Sequence, residues 1–332
     1  MSRRELSIAF QSDKHPSDYA ELAQRVEDYG FDVLSIYADL LFQPPIVPLA
    51  VAAQATNRIR LGPASLNPFT LHPVEIAGQI ASLDLLSGSR AYLGLSRGAW
   101  LDEIGVAQDR PLSRMREAVD VVEHLFAGRR ERYDGQHFQL TEHHALRYKV
   151  ERERVPLLIG SWGRQTLGLA GERADEVKIG GSANPDVVPV VRDWIAAGAN
   201  RAGRSADEIG ICLGAVTIVD EDRDVARSRI RREMALYLPV VASLDPTVSI
   251  DPELLSRIDS LATEGDYDAA GNLIPDDLLD RFAFAGNPDD IIRQSEALFE
   301  SGVTRIEFGT PHGVSSREGL RLLGERVLPG LR

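Results

Sequence analysis

The sequence predicts one α/β domain, a (β/α)8 TIM barrel with insertions that spans residues 1–332. Short apolar runs alternate with helical patterns from one end of the chain to the other, which is typical of repeated βα units around a parallel sheet. The length also suits this fold, since single-domain barrels of about 250 residues grow well beyond 300 when loops are inserted.

Eight apolar runs predict the barrel strands. They are Leu6–Phe10, Val33–Ala38, Ile59–Ser65, Ala91–Ser96, Pro156–Gly160, Glu176–Gly180, Ile209–Val219 and Arg305–Gly309. No glycine-rich dinucleotide fingerprint follows the first run, which argues against a doubly wound open sheet. Eight strands in strict alternation with helices therefore favour the closed barrel.

Helical signals fill the segments between these runs. The stretch "LSRMREAVDVVEHLF", Leu112–Phe126, places apolar residues three and four positions apart, so one face can pack against the outside of a barrel. Helix starts are predicted at Ser17, Pro73 and Pro288, and helix ends at Gly30, Gly88 and Gly302.

Two segments exceed what a minimal barrel needs. Residues 129–156 are polar and contain the turn signal "YDG", whereas residues 229–282 contain four prolines. We expect both to be excursions from the barrel, the second helical and able to act as a lid.

Composition narrows the function classes. The chain has 37 Lys and Arg against 50 Asp and Glu, a formal charge of −13, which disfavours binding to nucleic acid or to an anionic membrane surface. The one cysteine, Cys212, lies in an apolar run and is interpreted as a core residue. With neither a signal-peptide pattern nor an apolar run long enough to span a bilayer, we expect a cytoplasmic protein with a small-molecule substrate.

Chemistry in such barrels lies at the carboxyl ends of the strands. This position selects Gln11, Ser12, Asp13, Asp39, Ser65, Asn67, Ser96, Arg97, Trp100, residues 161–165, residues 180–182, Thr310 and His312. Few strong acids or bases are among them. The set therefore favours a cofactor-binding site over a hydrolase site.

The turn after the fifth strand has the features of an anion site. Gly160, Ser161 and Gly163 permit close approach of the backbone, and the helix that starts near Arg164 directs free N–H groups outward. Gln165 adds a further donor. The alternative is a tight βα turn with an exposed arginine and no ligand.

Four motifs carry a specific resemblance: "LGPASLNPFTLHP", "RAYLGLSRGAWLDEIGV", "LLIGSWGRQTLGLAGERADEVKIGG" and "RIEFGTPHG". Together they resemble the luciferase-like family of flavin- and deazaflavin-dependent oxidoreductases, in particular its branch similar to methylenetetrahydromethanopterin reductase. The resemblance covers nearly the whole chain. It implies the same barrel fold that the periodicity predicts.

The resemblance implies a coenzyme F420 site with the deazaflavin ring against the third strand and the phosphodiester in the "GSWGRQT" turn. A non-prolyl cis peptide is implied at Ala64–Ser65. The cofactor-binding residues it implies are Asp39, Ala64, Ser65, Asn67, Ser96, Arg97, Gly160, Ser161, Trp162, Gly163, Arg164, Gln165, Gly180 and Gly181. A homodimer is also expected.

Candidate catalytic residues are Asp39, Glu103 and His312. Two departures from the family pattern bear on them: Leu40 stands where related dehydrogenases often have His, and Ala99 stands where some have an acidic Glu. Both departures weaken a claim to sugar-phosphate dehydrogenase chemistry. The alternative role for Asp39 and Glu103 is to solvate a loop or to cap a helix.

We therefore expect an F420-dependent oxidoreductase that transfers a hydride between the deazaflavin and a small organic substrate. One alternative is an FMN-dependent monooxygenase of the same superfamily, and another is a barrel without cofactor that works as an accessory subunit. No metal site is expected, since the adjacent His143 and His144 lack a third ligand at suitable spacing.

Overall fold

The computed structural model describes residues 4–332. The strands within this range, in chain order, are β1 Glu5–Phe10, β2 Val33–Ile36, β3 Arg60–Pro63, β4 Leu93–Ser96, β5 Tyr133–Asp134, β6 Gln139–Leu140, β7 Leu157–Gly160, β8 Glu176–Gly180, β9 Gly210–Val219, β10 Ala283–Gly286 and β11 Arg305–His312.

The helices of the same range surround the strands. They are α1 Asp18–Tyr29, α2 Ile46–Ala55, α3 Pro73–Ser87, α4 Pro111–Phe126, α5 Arg164–Arg173, α6 Val187–Arg201, α7 Arg223–Ala242, α8 Pro252–Thr263, α9 Tyr267–Asn272, α10 Asp276–Phe282, α11 Pro288–Glu300, α12 Ser316–Leu322 and α13 Leu328–Gly330. Short 3₁₀ segments lie at Leu101–Ile104 and Ala206–Glu208, and a π segment at Leu323–Val327.

Eight of the strands form the predicted parallel barrel. Their order is β3-β2-β1-β11-β9-β8-β7-β4. Isolated parallel bridges, Leu61 to Ala91 and Leu66 to Leu95, join the two ends of this sheet and close it. All eight predicted runs are barrel strands, so the fold prediction is confirmed.

Outside the barrel, the structure adds elements that the sequence patterns did not define. Residues 129–156 contain the antiparallel hairpin β5–β6. Strand β10 pairs with β9 and stands off the barrel, and the eight-strand prediction missed it because its four residues, "AFAG", lie directly before a helix start. The second excursion is helical as expected, but its first helix, α7, begins at Arg223 and not near residue 229.

Side chains along each barrel strand alternate between an outer, apolar layer and the barrel interior. Side chains such as Ile8, Leu34, Leu95 and Ile306 belong to one large buried cluster with the helices. The α4 stripe is part of it, since seven apolar residues of that helix, from Met115 to Phe126, are buried in this cluster. The excursion helices pack separately, with Leu238, Ile258, Leu279 and Phe282 in a second cluster.

Ion pairs fill the barrel interior. Arg60 pairs with Glu5, Lys178 pairs with Glu307, and Arg305 Nη2 lies 2.8 Å from Glu176 Oε2. Each pair joins two different strands. A buried charge without a partner is strongly unfavourable. The Arg60–Glu5 pair therefore holds β3 to β1, and the Lys178–Glu307 and Arg305–Glu176 pairs hold β8 to β11.

Glu307 is the best connected of these carboxylates. Its Oε2 accepts a hydrogen bond of 2.5 Å from Ser35 Oγ, whose oxygen lies 2.8 Å from the hydroxyl of Tyr92. Burial alone would raise the pKa of Glu307, but the charges of Lys178 and Arg305 outweigh it and the pKa is lowered. Glu307 therefore stays ionised inside the barrel.

Glycines lie one step above these charges, at the mouth of the barrel. In the strand alternation, Gly180 follows Lys178 on the inner face of β8, Gly160 ends β7, and Gly214 lies on β9 beside both members of the Lys178–Glu307 pair. A Cβ at Gly180 would meet no atom within 4 Å. The mouth therefore has a floor of charged side chains and an unfilled layer above it.

We predict that Glu307→Gln lowers the free energy of unfolding by about 3–5 kcal/mol, because it leaves the Lys178 charge buried without its partner. Urea unfolding at pH 7 measures this. The matched control is Glu325→Gln, which removes an exposed partner of Arg321 and should cost less than about 1 kcal/mol. Equal losses in the two variants would contradict the role given to the interior pair.

Candidate functional site

A cavity of about 580 Å³ opens at the carboxyl ends of the strands, where barrel chemistry is expected. It is lined by residues that follow β1, β2 and β4, by residues within β9 and β11, and by residues of α7 and α12. They are Gln11, Asp13, Lys14, residues 39–42, Trp100, Glu103, Ile104, Val216, Glu233, Tyr237, Thr310, Pro311 and Ser316. We call this space the mouth cavity.

Two of the predicted catalytic residues lie in the mouth cavity. Asp39 and Glu103 both line it, and both side chains are exposed. The Asp39 carboxylate is oriented by Gln11, whose Nε2 donates to Asp39 Oδ2 at 3.0 Å. Both carboxylates could accept or return a proton from a ligand in this cavity.

The third predicted catalytic residue, His312, lies elsewhere. Its side chain is 1% exposed, it does not line the mouth cavity, and its Nε2 lies 3.1 Å from the carbonyl oxygen of Ala9. The ring also packs edge-on against Phe10 at 5.0 Å. Burial lowers the pKa of His312 to about 4, so the ring is neutral at physiological pH. This environment favours a structural role.

The bulge after β3 brings several predicted cofactor residues together. The peptide bond between Ala64 and Ser65 is cis, which confirms that prediction. Ser65 Oγ and Ser96 Cβ each lie 3.7 Å from the point that a Cβ of Gly160 would occupy. The ends of β3, β4 and β7 therefore converge on one small area without a side chain at its centre.

Gly94 explains how β4 accommodates this bulge. A Cβ there would lie 2.1 Å from the carbonyl oxygen of Pro63, a distance that no side chain tolerates. Only glycine lets the two backbones approach in this way. The "YLGLS" motif is thus required by the packing of β3 on β4.

The turn after β7 has the geometry expected of an anion site. Gly163 precedes α5, and its N–H donates to Ser161 Oγ at 2.9 Å. The next N–H groups, of Arg164, Gln165 and Thr166, start the helix and have no acceptor within it. They therefore face the space in front of the turn, where the helix dipole favours negative charge.

No contact with the residues in the range 4–332 requires glycine at position 163. Its φ of −86° and ψ of 125° are open to any residue, and the nearest atom to a Cβ there would be Ser161 Oγ at 3.4 Å. Gly181 is different, since its φ is +75° and a Cβ would lie 2.6 Å from Val241. The glycine at 163 is therefore explained by a ligand better than by the fold.

The remaining predicted cofactor residues divide into free donors and structural residues. Arg97 and Arg164 are exposed, and neither forms an ion pair with another residue in the range 4–332. Asn67 is buried and its Oδ1 accepts from the N–H groups of Phe69 and Thr70, so it shapes its own loop. Trp162 donates through Nε1 to the carbonyl oxygen of Gly180 at 2.8 Å, which joins the two turns.

Sequence reasoning missed part of the cavity wall. Glu233 and Tyr237 come from α7, an excursion helix whose approach to the mouth no local pattern indicates. It also missed the interior charges. Lys178 in "EVKIG" and Glu307 in "RIEFG" could have been identified from the sequence. Residues alternate between the two faces of a strand, so a charged residue within an apolar strand indicates a position that faces the barrel interior.

Residues 4–332 contain no helix with both the length and the apolar character needed to cross a bilayer. In the same range, no three His, Cys, Asp or Glu side chains group as metal ligands.

Comparison with known proteins gives a consistent result. The model of the luciferase-like monooxygenase family matches residues 5–305. The 5,10-methylenetetrahydromethanopterin reductase of Archaeoglobus fulgidus is 32% identical over 324 residues, which cover 95% of this chain and 95% of the reductase. An F420-dependent glucose-6-phosphate dehydrogenase of Microbacterium testaceum is 25% identical over 337 residues, covering 96% and 94%.

A solved structure agrees over the full length. The coenzyme F420-dependent tetrahydromethanopterin reductase of Methanopyrus kandleri superimposes with a TM-score of 0.91 at 28% identity, covering 100% of both chains. The barrel and its excursions are therefore shared with that enzyme.

We predict a specific acid sensitivity from His312. Its pKa is about 4 when folded and about 6.5 when unfolded, so the unfolded chain binds the extra proton and stability falls as pH drops through this window. Between pH 7 and pH 4.5 the wild type should lose about 2–3 kcal/mol more than His312→Gln. Urea unfolding at several pH values measures this, with the exposed His143→Gln as a control that should follow the wild type. Parallel curves for wild type and His312→Gln would refute it.

Proposed function

The chain belongs to the luciferase-like monooxygenase family, and from this premise we propose that it is an F420-dependent oxidoreductase. It transfers a hydride between the deazaflavin and a small organic substrate. The observation that carries the proposal is the full-length similarity to reductases that use F420, in sequence and in fold. The resemblance found in the four sequence motifs is thereby confirmed.

The residues present fit such a cofactor. Gly163 leaves its Cβ position free in front of the α5 N-terminus, and Gly180 leaves open space above the charged floor. The first area suits a phosphodiester and the second a flat ring. Arg97 and Arg164 supply positive charge on an acidic protein, as an anionic cofactor requires.

When bound, F420 supplies a two-electron hydride carrier, and the protein contributes orientation and electrostatics. The bulge at Ala64–Ser65 would support one face of the ring, while the turn at 160–165 would hold the anionic end. With the cofactor held at both places, on β3 and β7, a substrate in the mouth cavity would lie beside the ring.

The carboxylates of the mouth cavity are the proton carriers that we propose. Hydride transfer to or from a carbon centre is accompanied by a proton at a substrate heteroatom. Asp39, held by Gln11 at 3.0 Å, and Glu103 are exposed carboxylates that line the mouth cavity, one after β2 and one after β4. His312 is unsuited to this task because its ring is buried and hydrogen-bonded.

We further propose that the protein works in the cytoplasm as a homodimer. The single buried cysteine fits a reducing compartment. Size-exclusion chromatography with light scattering would measure the oligomeric state directly.

We predict that Gly163→Val weakens F420 binding at least tenfold while lowering the unfolding temperature by no more than about 4 °C, the cost of valine at the N-cap of α5. The backbone angles at 163 suit valine, whereas the added methyl groups would occupy the space where a phosphodiester approaches the α5 N–H groups. Fluorescence titration with F420 measures the affinity. The control is Gly78→Val, which also has open space at Cβ but lies on α3, and it should bind normally. Unchanged affinity in Gly163→Val would remove the phosphate assignment.

We predict that the apoprotein binds F420 at least tenfold more tightly than FMN, a difference of about 1.4 kcal/mol. Arg97 and Arg164 can contact carboxylates of the F420 tail, which FMN lacks because it ends at its phosphate. Equilibrium titration with both cofactors, followed by assays in an oxygen electrode, tests this. Tighter FMN binding with substrate-dependent oxygen uptake would make the monooxygenase the better description.

A further inference from the structure

We infer that the mouth cavity selects a neutral or cationic substrate with a broad apolar surface and excludes substrates that bring a phosphate or carboxylate into it. The inference rests on the proposed function, because it concerns the substrate side of the same site. It adds a substrate class that follows from the cavity wall alone.

The wall of the cavity is unusually rich in exposed apolar side chains. Leu41 is 96% exposed, Phe42 and Ile104 are each 46% exposed, and Trp100 and Tyr237 are each 43% exposed. All five line the one cavity, although they come from three separate parts of the chain. Several large apolar side chains that are exposed to solvent within one cavity indicate a ligand-binding site.

The backbone holds two of these side chains in a conformation that large residues avoid. Leu41 has a φ of +64° and Trp100 a φ of +55°. For bulky residues such angles are outliers that cluster at functional sites, because another constraint must keep them there. Both residues line the mouth cavity, Leu41 after β2 and Trp100 after β4, the two strands that flank β3. The cavity wall thus holds an apolar residue after each of these two strands.

The charges of the cavity are negative and partly unpaired. Lys14 lies 2.5 Å from Asp13, and Glu233 lies 2.6 Å from Arg229, so these carboxylates have partners. Asp39 and Glu103 have no cationic partner among residues 4–332. An anionic group in the cavity would therefore meet two negative charges and find its one lining cation already paired.

The donors that suit anions lie outside the mouth cavity. Arg97, Arg164 and the N-terminus of α5 are absent from its wall. The anionic end of the cofactor and the substrate are thereby separated into regions of opposite charge. The relative from Microbacterium testaceum is named for a phosphorylated sugar, and this cavity offers no free cation for such a group.

Three probes with the same ring test the inference: 1-naphthalenemethanol, 1-naphthylmethylamine and 1-naphthyl phosphate. They are neutral, cationic and dianionic, and calorimetric titration into F420-saturated protein compares them directly. We expect the alcohol and the amine to bind at least tenfold more tightly than the phosphate. Equal or tighter binding of the phosphate, or failure of the alcohol to bind, would overturn the inference.

Variants connect the selectivity to the named residues. In the double variant Asp39→Asn, Glu103→Gln, the ratio of the Kd of the phosphate to the Kd of the alcohol should fall at least threefold. In the control Glu300→Gln, which changes an acidic residue on the outer helix α11, this ratio should not change. Trp100→Ala should weaken all three probes. An unchanged ratio in the double variant, or unchanged affinities in Trp100→Ala, would overturn the inference.

The order of measurements separates this inference from the proposed function. The F420 affinity of each protein is measured first. A wild type that does not bind F420 counts against the proposed function, whereas a loaded wild type that prefers the phosphate probe counts only against the substrate class.

Discussion

The paired charges inside the barrel are the constraint on which the rest of the structure depends. Lys178 and Glu307 are both buried, and Glu307 also accepts a hydrogen bond from Ser35. Because an isolated charge could not remain there, the strands that carry these residues must stay in one register. The barrel is therefore closed below by polar side chains instead of the apolar layers common in this fold. Its mouth can stay open without exposing an apolar core to water.

The open mouth divides into two halves with different chemistry. Glycines at the ends of β7 and β8 and the N–H groups at the start of α5, with Arg97 and Arg164, form the half that suits an anionic cofactor. The half lined by residues after β1, β2 and β4 and by α7 combines exposed apolar side chains with carboxylates. A cofactor that spans the boundary meets the substrate there. This arrangement explains how a protein of charge −13 can hold an acidic cofactor.

The sequence was most informative where local periodicity determines structure. All eight barrel strands were predicted from apolar runs. The cis bond at Ala64–Ser65 was expected only because the chain resembles a known family, since no local pattern indicates it. Strand β10 was missed because four residues carry too little pattern. The mouth contribution of α7 and the burial of His312 could not be predicted, since both depend on contacts between segments far apart in the chain.

A crystal structure of the protein with F420 tests the central claim most directly. We predict the phosphodiester within hydrogen-bond distance of the N–H groups of Arg164, Gln165 and Thr166, and the ring beside Ala64–Ser65 above Lys178. We also predict that the mouth cavity stays open to a substrate beside the ring. A phosphodiester bound elsewhere, or a ring that fills the cavity lined by Asp39 and Glu103, would contradict the proposed cofactor site.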